Sequence, residues 1–283
     1  MNRPFEGHDA QGLTERGVGP FVTFRSYLHQ GRLVHWRARQ HRKGLLQHPD
    51  QVAAFWQKPA YNWWTGLSFS IGSLLFMLGA TLSLTPNPLS AVQIAIIFFM
   101  GSIPFTIAGF LQNFQAANAG DFSSSSPARP DRISIVGWET NSLGWISTFA
   151  QFLGTIAFNF NTFDAIDPVS GWYQQDLTIW LPGFIGSVLF LVSGYLAFME
   201  TSHGYWSWKP GDLDWKIVFI NLLGCIFFMI AGIVSFIPKG TDPEWLINLA
   251  NVHLWLGAFC FLTGALLMMR ESRQTETVGD QKL

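Results

Sequence analysis

The sequence predicts an all-α integral membrane protein with six transmembrane helices. Stretches of about 20 residues recur with almost no charge, which is the length needed to cross a hydrocarbon core. Only 12% of the 283 residues are charged, roughly half the share usual in a soluble domain. Of thirteen Trp, Trp63, Trp64, Trp145, Trp180, Trp215 and Trp245 sit at the ends of the apolar stretches, where amphipathic rings lie at the membrane–water interface.

Residues 1–62 form a basic, His-rich head. It has no apolar core of its own, so no cleavable secretory signal is expected and the first span acts as its own insertion signal. The predicted spans are 63–85, 90–112, 143–165, 177–199, 216–238 and 246–269. Between the second and third lies the loop 113–142, with Ser123 to Ser126 followed by Pro127 and Pro130. That composition cannot bury a core and reads as a flexible cytoplasmic linker. The tail 270–283 is polar. Cys225 and Cys260 both fall inside apolar stretches, so no disulfide framework is supported.

Orientation follows from the basic residues. With the N-terminus inside, sixteen of the seventeen Lys and Arg lie on the inner side, and only Lys239 lies outside. The outer connections carry Asp164, Asp167, Asp176, Asp242 and Glu244. The positive-inside rule then places both termini in the cytoplasm of a plasma or inner membrane.

Each span contains Gly, a small residue, two others, then Phe. The glycines are Gly72, Gly101, Gly154, Gly186, Gly224 and Gly257, with Phe76, Phe105, Phe158, Phe190, Phe228 and Phe261. A second Gly follows two turns later in five spans, at Gly79, Gly109, Gly194, Gly232 and Gly264. Lipid offers helices no hydrophobic drive to associate, so small residues that let backbones approach become the packing seam. A Phe one turn beyond each Gly can fill the space beside a neighbour's glycine. Pairing consecutive spans gives three tandem hairpins, 63–112, 143–199 and 216–269. Their odd members run the same way, so the copies relate by an axis along the membrane normal. This hairpin, with a glycine–small–x–x–Phe signature on each helix, resembles the YrhK-like membrane domain. The resemblance covers the six spans and implies the fold alone, since that family brings no activity or site residues to transfer.

Polar groups within spans are costly and mark candidate sites. Near the outer ends, Asn159, Asn161, Asp164, Asn251 and His253 are expected to line an outward vestibule. His253 stands about 12 Å along its span from Trp245, and a carboxylate such as Asp164 beside it would make it proton-sensitive. Near the inner ends, Glu200 and His203 read as a solvated helix cap. The basic residues Arg25, Arg32, Arg37, Arg39, Arg42 and Lys43 alternate with apolar ones, which suggests an amphipathic helix on the anionic inner leaflet. The five His of the head lack metal-ligand spacing, and no phosphate loop, paired CxxC or GxSxG elbow is present. No nucleic-acid partner is indicated, and no cofactor can be named. An accessory or scaffold membrane subunit, docked to a protein partner or self-associated, is the leading expectation. A small-solute transporter or channel is the alternative, and a cofactor-bearing protein or enzyme comes third.

Overall fold

The computed structural model describes residues 11–29, 32–45, 53–120, 133–169, 171–236 and 243–280, with side chains to 274. The core of the predicted linker, including Ser123 to Ser126, lies outside these residues.

The head is not a helix. It is an antiparallel meander of β1 (Gln11–Val18), β2 (Phe21–His29) and β3 (Arg32–Arg37), followed by the short α1 (Ala38–Arg42). The turn at Gly19 takes a positive φ of 54°, which glycine adopts at little cost. Along β2 the side chains alternate: Thr23 and Tyr27 are buried, while Leu28 is exposed. This is the two-residue period of a half-buried strand. The expected amphipathic helix is therefore corrected: Arg25, Arg32 and Arg37 lie on strands, and only Arg39 and Arg42 lie on the five-residue α1, with Lys43 at its end.

Below the head stand α2 (Pro59–Leu84), α3 (Ala91–Ala117) and α4 (Leu143–Asp164). A short α5 (Trp172–Gln175) then runs through a π-helical stretch into α6 (Leu181–Ser202), followed by α7 (Leu213–Val234) and α8 (Glu244–Asp280). Pro59 starts α2, a capping box between Ser90 and Gln93 starts α3, and Ser142 and Asp212 cap α4 and α7. Five of these helices are long and apolar enough to cross a membrane. The exception is α4, whose amides and hydroxyls dilute its apolar run. Helix α8 continues well into the predicted tail. Each long helix packs on its chain neighbours, and α8 packs back on α2 to close a ring.

The ring's centre is filled by aromatics. Phe76, Phe105, Phe158, Phe190, Phe228 and Phe261 are all at most 8% exposed. Neighbouring ring centroids stand 5.1 to 6.2 Å apart. Glycines make room for them pairwise. A Cβ on Gly72 would fall within 3.0 Å of the Phe105 ring, and one on Gly101 within 3.0 Å of Phe76. Gly154 meets Phe190 and Gly186 meets Phe158; Gly224 meets Phe261 and Gly257 meets Phe228 in the same way. Each helix of a chain-adjacent pair thus seats its partner's ring on its own glycine. Gly109, Gly194 and Gly232 instead face across α3–α4 and α6–α7, where one pair meets the next.

Candidate functional site

The charged groups of the head do not spread over a surface. They converge on the head end of the helix ring through α1. Arg39 is 6% exposed and donates to Glu271 at 2.8 and 3.2 Å and to Asp214 at 2.6 Å. Lys43 donates to the same Glu271 at 2.7 Å, and Gln40 to the second oxygen of Asp214 at 2.8 Å. Arg42 forks onto Glu200 at 2.5 and 3.0 Å. A Cβ on Gly144 would collide with that guanidinium, so the glycine opening α4 makes space for the pair. The neighbouring segment is tied as well: Trp56 donates to the Asn118 carbonyl, Gln115 to the Trp56 carbonyl, and Asn62 to the Lys43 carbonyl.

Three cations are thereby matched to three carboxylates from α6, α7 and α8. Burial by itself disfavours the charge on Arg39, but Glu271 and Asp214 outweigh it and hold its pKa above the ordinary value. For Lys43 the balance falls the other way. Burial, helped by the neighbouring Arg39, pushes it down to about 8 despite Glu271.

Beneath this lid lies a cavity of about 90 Å³, enough for several waters or one small polar solute. Its lid is Arg39, Arg42 and Lys43, its far wall includes Phe190 and Phe261 of the aromatic core, and its sides carry amides and hydroxyls. Ser147 donates to the Ser193 carbonyl at 2.9 Å, which satisfies that stretch of wall. The amides of Gln151 and Asn221 also line the cavity, and among the described residues neither makes a hydrogen bond. Two half-buried amides without a protein partner leave donors and acceptors on the cavity wall for water or a small solute.

The sequence-predicted residues fall as follows. The six glycines line the aromatic seams. Of the basic set, Arg39, Arg42 and Lys43 are the lid. Arg25 pairs with Glu15 at 2.8 Å and lies 5.5 Å from the Trp36 ring centroid. Arg37 lines a second cavity, and the side chain of Arg32 is outside the described residues. Glu200 is 1% exposed and bound to Arg42, so the expected solvated cap is corrected: a basic partner from the head takes its charge out of water.

The expected outer vestibule does not assemble. Asn159 donates to Thr106 of α3 at 2.9 Å, while Asn161 points to the other side of α4 and donates to the Ile179 carbonyl at 2.7 Å. Asn251 and His253 bond carbonyls of their own helix, Ile247 and Leu249. The His253 ring lies against Phe227 of α7, and Asp164 ends α4, which is not a ring neighbour of α8. Sequence reasoning missed Asp214 and Glu271. Their signal was an acidic residue at the head end of α7 and of α8, opposite a head rich in Arg.

No family model, curated protein or solved structure matches the chain.

His203 fastens the sheet to the ring. It ends α6 at a positive φ of 57°, its Nδ1 lies 3.0 Å from the Thr23 hydroxyl, and its ring meets Phe24. Burial, with Lys209 and Arg37 nearby, pushes its pKa down to about 4. The folded chain then binds fewer protons than the unfolded one between the ordinary 6.5 and about 4. Docking is complete above that window and weakens as pH falls through it. Hydrogen–deuterium exchange in β2, corrected for intrinsic rates, is expected to rise between pH 7 and pH 5. In His203→Asn, which tolerates the left-handed backbone, the rise should vanish. Equal exchange at both pH values in the native chain would remove His203 as the fastening.

Proposed function

We propose that the chain is an accessory membrane subunit whose working end is the cytoplasmic head, and that it does not conduct. One observation carries this reading. The axis is filled by six interlocked phenylalanines, while the buried ion pairs, with the cavity beneath them, gather at the head end. A conduit needs polar groups or a dewettable path through its middle, and the middle here is close-packed aromatic.

In this reading α4 is the sixth span, since it packs between α3 and α6 as an equal member of the ring. The head and the end of α8 then share the cytoplasmic side of the plasma or inner membrane, which agrees with the basic residues counted above. The three helix pairs are copies of one hairpin, as the pairwise exchange of Phe and Gly suggests. The likeness to YrhK-like hairpins rests on that same signature. The partner is a protein or a second copy of the chain, with anionic inner-leaflet lipid around the head.

The test is reconstitution. Liposomes containing the protein are expected to release small ions and polar solutes no faster than empty ones, and native mass spectrometry from the source membrane should give a defined complex or homo-oligomer. Protein-dependent flux would sink the reading. A second reading, a solute transporter, is favoured by the unpartnered amides of Gln151 and Asn221. It predicts flux that is lost in Gln151→Leu and Asn221→Leu.

A further inference from the structure

A second cavity, of about 260 Å³, lies where the head sheet meets the ends of α6 and α7. Arg16 of β1, Arg37 of β3 and Lys209, in the connection before α7, line it together with Thr201 and His203. Three separate segments of the chain therefore bring a cation to one place.

The charge there is not balanced. Among the described residues, Arg16, Arg37 and Lys209 have no carboxylate within ion-pair distance. Arg39 and Asp214 also reach the cavity, but they are matched to each other and to the lid. Asp212 remains, and one of its oxygens accepts from the backbone N–H of Asp214 at the start of α7. Three cations face one carboxylate. Thr201 is 7% exposed, and its hydroxyl is buried without a hydrogen-bond partner. Among the described residues Lys209 donates only to the Ser202 carbonyl at 3.5 Å, so three cations without a carboxylate partner converge on a cavity suited to an acceptor-rich anion.

The position narrows the source. Tyr205, Trp206 and Trp208 precede Lys209 and are 65 to 67% exposed. Exposed aromatics at the end of an apolar helix sit at headgroup level. A phosphate there, on a lipid or free, would present several oxygens to two planar guanidiniums and an ammonium, the geometry that Arg forks and Lys recognise.

We propose that this cavity binds a phosphate group through Arg16, Arg37 and Lys209, the lipid headgroup and free phosphate being its two possible sources. The site stands on its own geometry and does not depend on whether the bundle is an accessory subunit or a transporter. Arg37 is half-buried at its floor, and the exposed Arg16 and Lys209 stand at its open rim.

The experiment uses the full chain in nanodiscs of phosphatidylcholine alone, of phosphatidylcholine doped with phosphatidic acid, and of phosphatidylcholine with added inorganic phosphate, with thermal unfolding as readout. Native mass spectrometry counts retained lipid. Arg37→Gln and Lys209→Gln are compared with Lys216→Gln, an exposed cation of α7 outside the cavity. Stabilisation by phosphatidic acid alone assigns the lipid. Stabilisation by inorganic phosphate as well assigns the soluble anion. In either case the affinity should fall on the order of tenfold in each cavity variant and stay unchanged in Lys216→Gln. Both variants should unfold like the native chain in phosphatidylcholine alone, which separates loss of ligand from loss of fold. No stabilisation by either anion, or equal loss in Lys216→Gln, would overturn the proposal.

Discussion

Glu271→Gln is expected to lower the unfolding free energy by about 3–5 kcal/mol, the usual cost of removing one partner from a buried ion pair. Glu271 accepts from both Arg39 and Lys43, so its loss leaves two buried cations with Asp214 alone. Thermal unfolding in mild detergent, followed by the fluorescence of the 13 Trp, measures it. Arg25→Gln is the control. Its partner Glu15 is 41% exposed, and an exposed pair contributes about 0–1 kcal/mol. Equal effects of the two substitutions would show that the lid does not hold the head.

The same variant has a pH signature. Lys43 already sits near 8 through burial, and losing Glu271 removes its main support for remaining charged. The folded variant then binds fewer protons than the unfolded chain as pH rises toward the ordinary lysine value, so its stability rises with pH there. The deficit of Glu271→Gln should be narrower at pH 9 than at pH 7. A deficit that stays constant across that interval would place the loss in packing and not in the buried ammonium.

Five of the helices were legible because membrane spans are the strongest signal a sequence carries: length and lack of charge nearly determine them. A small residue and a ring one turn apart lie on one helical face, which is how Gly72 and Phe76 both face α3. The head was not legible. Phe21 to Leu28 sets Arg25 among apolar residues at spacings that fit a helix, while the burial of Thr23 and Tyr27 on one face and the exposure of Leu28 on the other fit a strand. Periodicity over eight residues cannot separate the two, and Gly19 and Gly31, on either side of that run in the sequence, were the missed punctuation. The lid was hidden for another reason. Arg39, Arg42 and Lys43 read as surface cations because Glu200, Asp214 and Glu271 lie more than 150 positions away in the chain, and nothing local announces a pairing across that span. The outer vestibule failed through rotation around one helix: Asn159 and Asn161 are two residues apart, which turns them to different neighbours.

The aromatic core carries the second large effect. Phe228 is 2% exposed and touches four rings, those of Phe76, Phe158, Phe190 and Phe261. Phe228→Ala is expected to cost about 3 kcal/mol, at the lower end for a buried Phe. In lipid the loss is of packing contacts, with little of the transfer from water that adds to it in a soluble core. Gly257→Ala should cost about 1–3 kcal/mol by overpacking. The new methyl meets the Phe228 ring, and the Gly224 carbonyl of the same helix α7 stands 3.0 Å from it. The informative variant is the double one. Removing the Phe228 ring opens the space into which the methyl added by Gly257→Ala projects, so the double substitution should be milder than the two effects added, by about 1 kcal/mol. Gly257→Ala combined with Phe158→Ala should show no such relief, because Phe158 is seated on Gly186 in another helix pair. Denaturant titration in mixed micelles with circular dichroism provides the comparison. Equal coupling in both double variants would mean that the glycines merely thin the core. Coupling confined to Phe228 would mean that each glycine is fitted to one ring, so that the fit is specific to a helix pair.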